Sequence, residues 1–156
     1  MDKRERIIDL RQEETFIEEY VSLRNRYCEL LLTQPVNTEQ TKKWLHDGNV
    51  EVRGIVHDSD LRGIAILYLE RQGEIAIFAE TQHQGVGAKL LEVIEQVARE
   101  KGLDSVWAWV LSDNDAVHKT FKRNGYKRER ESSRVYKNQS RRGILFRKNI
   151  CETGTL

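Results

Sequence analysis

Apolar positions change their spacing several times along the chain, and each change predicts an element boundary. Ile7-Ile8-Asp9-Leu10-Arg11 reads as a short opening strand. Phe16, Ile17, Tyr20, Val21, Leu23, Tyr27, Cys28, Leu30 and Leu31 then recur at helical spacing, and Thr33-Gln34-Pro35 closes that helix. Thr38-Glu39-Gln40-Thr41 opens a second helix through Trp44-Leu45 that stops near Gly48. Val50 to Val56 and Gly63 to Leu69 are β-branched segments flanking the turn residues Asp58-Ser59-Asp60, a predicted hairpin. A turn at Gln72-Gly73 leads into a strand from Glu74 to Ala79.

From Val86 to Lys101 the period becomes helical again, with Leu90, Leu91, Ile94, Val97 and Ala98 in one stripe and Gly102 placed to end it. Ser105 to Leu111 is apolar on both faces, as expected of a central strand covered on both sides. Asp113-Asn114-Asp115 carries N-cap chemistry for a helix over Ala116 to Arg123, closed by Asn124-Gly125. Tyr126 to Tyr136 and Gly143 to Lys148 complete the order as strands around Asn138-Gln139-Ser140. The order β-α-α-β-β-β-α-β-α-β-β predicts an α/β (α+β) domain, a mixed sheet with helices on its faces. No linker or repeat divides it, so residues 1–150 read as one domain and 151–156 as a tail.

Composition narrows the function classes. The chain has 156 residues, of which 33% are charged, and no apolar run approaches the ~18 residues of a membrane span. The start Met1-Asp2-Lys3-Arg4-Glu5-Arg6 has no secretory apolar core, and Cys28 and Cys151 are too few for a disulfide framework or a zinc site. The expectation is a cytoplasmic protein with two reduced thiols, no metal and no membrane partner. The formal net charge of +1 hides an asymmetry: between Lys119 and Ile150 stand twelve Lys/Arg and two Glu. That local +10 leaves −9 elsewhere, and points to an anionic partner. A solvated basic surface is the alternative.

One junction carries the chemistry. A strand ending near Ala79 is followed by Glu80-Thr81-Gln82-His83-Gln84-Gly85-Val86-Gly87 and then a long amphipathic helix. A helix start presents unpaired N–H groups and the positive end of its dipole, which suits a phosphate. Gly85 and Gly87 let an anion approach the backbone with no Cβ in the way. The loop is not a Walker loop, lacking Gly-Lys-Ser/Thr, nor a dinucleotide GxGxxG, since Leu90 stands at the third glycine. A tight structural turn is the competing reading.

Gln82-x-x-Gly85-x-Gly87 resembles the Q/R-x-x-G-x-G/A acyl-CoA loop of the GNAT superfamily of N-acyltransferases. Asn114, Phe121 seven residues on, and Gly125-Tyr126 are similar to that family's N-(x)6-Y-x-x-x-G-[FY] segment. The resemblance covers roughly residues 63–130 and implies a twisted mixed sheet of about seven strands, splayed between the fourth and fifth. It implies that the pantetheine arm of acetyl-CoA pairs with backbone at Ile77, Phe78 and Ala79. The pyrophosphate would then lie on amides from His83, Gln84, Gly85, Val86, Gly87 and Ala88 beside Gln82. Asn114 would hold the pantetheine end and Phe121 would pack on it, although an N-cap Asn and a core Phe explain the same residues.

Two departures from the family pattern concern proton transfer. Phe121 stands where the family often has an acidic Tyr, and His118, three residues earlier, is the candidate acid. A thiolate can also leave unaided. Glu74, in phase with Ala76 and Phe78, is the candidate base, with Glu80 the alternative and a solvated turn carboxylate the plain reading. The resemblance thus implies transfer from acetyl-CoA to a primary amine. The basic segment, with Arg134, Lys137, Arg141 and Arg142, suggests an anionic small-molecule amine such as an amino-sugar nucleotide. A polyamine, a protein N-terminus and a non-catalytic CoA sensor are the alternatives, and a homodimer is left open. Nucleic acid is disfavoured because no aromatic stacking platform interleaves the basic residues.

Overall fold

The computed structural model describes residues 5–80 and 85–151. Its strands are β1 (Glu5–Asp9), β2 (Val50–His57), β3 (Asp60–Tyr68), β4 (Glu74–Ala79), β5 (Ser105–Leu111), β6 (Lys127–Tyr136) and β7 (Gln139–Asn149). Its α-helices are α1 (Ile17–Arg26), α2 (Cys28–Leu31), α3 (Thr38–His46), α4 (Val86–Glu100) and α5 (Asp115–Arg123). The seven strands form one sheet in the order β1-β2-β3-β4-β5-β7-β6.

Two hairpins close on two-residue turns whose residues all have positive φ: Asp58-Ser59 and Lys137-Asn138. Such turns match the right-handed strand twist, which is why polar residues end these strands so abruptly. The second turn sits one residue earlier than Asn138-Gln139-Ser140, and β7 is correspondingly longer. The long helix expected from Phe16 to Leu31 is broken at Tyr27, whose backbone leaves helical geometry. Tertiary hydrogen bonds override its helical pattern there. Asn25 accepts from the Val36 amide at 2.9 Å and donates to the Val36 carbonyl at 3.0 Å, while the Tyr27 hydroxyl donates to the Ala79 carbonyl at 2.9 Å.

Apolar side chains fill both faces of the sheet. On one face α4 and α5 pack against Ala65, Leu67, Ile75, Val106, Ala108 and Phe146. On the other, α1 and α3 cover Ile64, Ile66, Phe78, Val50 and Val52. At that second face β5 departs from expectation: Val106, Ala108 and Val110 are buried, but Trp107 and Trp109 are only half-covered. Their apolarity belongs to the wall of an open chamber rather than to a closed core.

A buried charge cluster ties the sheet's outer half together. Glu51 on β2 is buried, and accepts from Arg53 at 2.9 Å and Arg11 at 3.4 Å, with Lys101 3.5 Å away. Burial alone would raise the Glu51 pKa, but the Arg53 hydrogen bond and the charges of Arg53, Arg11 and Lys101 outweigh it and hold it below 4.5. A depressed carboxylate pKa stabilises the fold above the unfolded value near 4.5 and loses that contribution as pH falls through the folded value. Glu51→Gln is therefore expected to cost about 1–3 kcal/mol at pH 7, since it removes charge-assisted bonds from a buried site. Urea unfolding at pH 7 and pH 3 checks this, because the gap between wild type and variant should narrow in acid.

Candidate functional site

β4 and β5 run parallel but share a single register pair, Glu74 with Trp107, anchored by the Trp107 amide donating to the Gly73 carbonyl at 3.1 Å. Beyond that pair the strands diverge. β4 stays registered to β3 along its whole length, from Glu74 opposite Tyr68 to Ala79 opposite Gly63. In the same register the Glu80 amide donates to the Arg62 carbonyl at 3.0 Å. Antiparallel pairs alternate between bonded and non-bonded, so Phe78 and Ala76 turn their backbone groups to β3. Ile77 and Ala79 then turn theirs to the gap. On β5 the Ser112 amide donates to Arg142 at 3.0 Å, which by the same alternation directs the Trp109 backbone into the gap from the other side.

The gap is a cleft of about 160 Å³ whose lining includes Ile77, Phe78, Ala79, Trp109, Asn114 and Phe121. An extended ligand with amide groups can pair there as an added strand, using the N–H and C=O of Ile77 and the N–H of Ala79. Phe78 contributes its side chain only. Tyr27 also lines the cleft, and its bond to the Ala79 carbonyl ties the α1–α2 junction to the open end. Helical spacing placed Tyr27 among core positions and offered no sign of this contact.

At the mouth, Gly85 caps α4 with φ at +80° and no side-chain cap. The first helical bond found there is the Lys89 amide to the Gly85 carbonyl at 3.2 Å, so the Val86, Gly87 and Ala88 amides precede the intrahelical ladder. Among the described residues a Cβ on Gly85 would meet nothing within 4 Å. Amides that precede a helical ladder in this way suit a pyrophosphate. Gly87 differs. A Cβ there would lie 2.8 Å from the Thr120 methyl, so this glycine is required by the approach of α5 to α4. Val86 is buried, with its side chain in the core, and Ala88 is exposed. Gln82, His83 and Gln84 lie outside the described residues.

Asn114 stands at the N-cap of α5, but its side chain makes no capping bond there and it lines the cleft. Phe121 is among the residues that line the cleft, and its ring stacks on Phe146 at 5.7 Å and edges Tyr126 at 4.8 Å, as a core phenylalanine would. Tyr126 in turn donates to buried Glu95 at 2.8 Å, and burial and that carboxylate push its phenol far above the usual range. His118 is not brought to the cleft lining. Its Nε2 lies 2.7 Å from the Leu111 carbonyl and its ring edges Phe146 at 5.3 Å, so it fastens α5 to the end of β5. That geometry gives no support to the acid role.

Glu74 lies at the closed end of the splay on the α1/α3 face, 5% exposed. Arg71 donates to Oε1 at 3.2 Å and Arg134 to Oε2 at 3.0 Å. Glu80 sits at the other end of β4 and pairs with Arg62 at 2.9 Å. Arg134 also lies over Trp109 at 4.8 Å and Trp107 at 5.9 Å. Trp109 crosses β7 at Gly143, where any Cβ would collide with the indole, and donates Nε1–H to Ser132 at 2.9 Å. Of the four basic residues singled out in the C-terminal segment, Arg134 is the one held at Glu74. Lys137 and Arg141 pair with Glu29, and Arg142 pairs with Glu131. The basic excess is thus partly neutralised across the surface, by Glu29 from outside the segment and by Glu131 within it.

The family model described as the acetyltransferase (GNAT) family matches residues 9–126. No curated protein matches the chain in sequence. Among solved structures, the yncA protein of Salmonella typhimurium, determined with its cofactor acetyl-CoA, has a TM-score of 0.79 at 17% identity, over 96% of each chain. The ribosomal-protein-alanine N-acetyltransferase of Brucella melitensis has a TM-score of 0.75 at 17% identity, covering 87% of this chain and 95% of its own. An acetyltransferase of Salmonella typhimurium that modifies the N-terminal serine of ribosomal protein L7/L12 has a TM-score of 0.74 at 12% identity, over 96% of each chain.

Proposed function

Because the chain belongs to the acetyltransferase (GNAT) family, whose members are acyltransferases that use acetyl-CoA, we propose that its acceptor is a primary amine carried on an anionic scaffold. The observation that carries this reading is the splay. It turns the Ile77 backbone and the Ala79 N–H to a cleft that opens, at its mouth, onto the uncapped α4 amides. Acetyl-CoA supplies an activated acyl thioester. The α4 amides and Gly85 hold its pyrophosphate, the Ile77 and Ala79 backbone orients its arm, and Asn114 and Phe121 border it.

Glu74 acts as the base. A primary amine of pKa near 10 arrives protonated and must lose a proton before it can attack. Glu74 is the carboxylate at the closed end of the splay, in a pocket beside the cleft that it shares with Arg71, Trp107 and Arg134, and Arg71 and Arg134 orient its two oxygens. The Ile77 and Ala79 N–H groups are the donors available to the acyl oxygen as charge builds there. With His118 turned to Leu111, the thiolate leaves without help from this histidine. Cys28 and Cys151 are not joined in a disulfide, which supports a reducing cytoplasmic setting. Among the described residues no helix is long and apolar enough to cross a membrane.

Thiol release from acetyl-CoA, measured against a panel of an amino-sugar nucleotide, spermidine, a basic peptide and amino acids, tests the reading. Anionic or zwitterionic amines are expected to turn over fastest. Fastest turnover of either cation would remove the anionic scaffold, and CoA binding without release on any amine would identify a sensor.

A further inference from the structure

Resting on the amine-acetylation reading, we propose that Arg24 anchors the carboxylate of the acceptor, which is a compact amino-acid-type zwitterion rather than a sugar nucleotide or polyamine.

Arg24, on α1, is a largely covered cation with no carboxylate partner among the described residues. Its Nη1 donates to the Tyr20 hydroxyl at 2.6 Å, and its Nε is buried without any partner. Burial pushes the Tyr20 phenol far above its ordinary value despite the nearby Arg24 charge, so this partner is neutral and leaves the guanidinium uncompensated. Its guanidinium carbon lies 5.2 Å from the Trp44 centroid and 6.0 Å from that of Tyr20, beside two rings that stack on each other at 6.2 Å. A desolvated cation ordinarily costs stability unless an anion meets it, and a guanidinium held by aromatic contacts suits a carboxylate.

Arg24 opens onto a pocket of roughly 300 Å³ bordered by Gln34, Val36, Gln40, Thr41 and Trp44. That volume is at the low end for small-ligand sites. The Trp44 and Tyr68 rings lie 6.3 Å apart, and Arg71, which pairs with Glu74, lies over Tyr68 at 4.2 Å, so these contacts connect Arg24 to Glu74. The Tyr68 hydroxyl, which has no hydrogen-bond partner among the described residues, senses the charges of Arg24, Arg71, Glu74 and Arg134 together. Three guanidiniums and one carboxylate therefore act on the same tyrosine. An ammonium alone entering beside Glu74 meets excess positive charge, whereas an ammonium bearing its own carboxylate offsets it by placing the acid on Arg24. The surface cations that a diphosphate would need, Lys137, Arg141 and Arg142, already have glutamate partners.

Matched pairs test this: phenylalanine, methionine and leucine, each against its decarboxylated amine, in steady-state acetylation. In wild type, kcat/KM for at least one acid should exceed that of its amine by about 10- to 100-fold, the worth of one charge-assisted contact. In Arg24→Gln that ratio should collapse toward one, with Arg24→Lys between them. A ratio within one preparation is insensitive to the folded fraction, so a destabilised variant still reports. Wild type preferring every decarboxylated amine, or an unchanged ratio in Arg24→Gln, overturns the proposal while leaving amine acetylation standing. If no amine is acetylated at all, the acetylation reading fails, and calorimetry of N-acetylphenylalanine into the CoA-bound protein decides the anchor. Tighter binding to wild type than to Arg24→Gln supports it, and equal binding overturns it.

Discussion

Glu74→Gln is expected to lower kcat by roughly 10²–10⁴, the usual worth of general base catalysis, with little change in acetyl-CoA affinity. The substitution keeps the shape of a side chain that is 5% exposed and removes its charge and proton-accepting oxygen. It also strips Arg71 and Arg134 of a partner, but both guanidiniums keep a ring beneath them, Tyr68 at 4.2 Å and Trp109 at 4.8 Å. Positioning of the chamber should therefore survive better than proton transfer. Stopped-flow or steady-state thiol release gives kcat, and calorimetric titration of acetyl-CoA gives affinity in the same variant. A loss of kcat under about threefold would assign deprotonation to water or another group, because general base catalysis is worth far more. Loss of acetyl-CoA affinity in step with kcat would instead mark Glu74 as a strut of the splay.

Much of this architecture is legible in the amino-acid sequence. Strand boundaries at Glu74, Ala79, Ser105 and Leu111 follow from apolar alternation bounded by turn residues, and α4 from a single apolar stripe. Periodicity failed where a side chain was drawn into a distant contact. Asn25 and Tyr27 lie in a helical pattern, yet their bonds to Val36 and Ala79 break the helix between α1 and α2. Trp107 and Trp109 read as core because hydrophobicity does not distinguish a covered face from a chamber wall. His118 lies close to Phe121 along α5, which is true of the helix, but the Leu111 carbonyl claims its imidazole. The role proposed for Arg24 was not legible for a different reason. One arginine in a charged helix carries no sign that it lies over Trp44 with no carboxylate among the described residues to meet it.

The acyl-CoA cradle makes the second large prediction, and the fold supplies its own control. Gly85 and Gly102 bracket α4, with φ at +80° and +81°, and at both a Cβ would meet nothing within 4 Å. Valine at either position pays a similar backbone penalty, of order 1–2 kcal/mol for an L-residue in the left-handed region. The two sites differ in what lies beside them. Gly85 borders the Val86, Gly87 and Ala88 amides at the positive end of the helix, whereas Gly102 follows the opposite terminus. Gly85→Val is thus expected to weaken acetyl-CoA binding by about 100-fold or more, through two or more lost charge-assisted amide contacts and a methyl-bearing Cβ in the anion's space. Gly102→Val should lose comparable thermal stability and keep its affinity. Gly87→Val cannot serve as the probe, because its Cβ strikes Thr120 and would shift Asn114 and Phe121 with α5. Calorimetry on both variants separates the outcomes. Equal affinity in Gly85→Val and wild type would show that this helix start is only a turn.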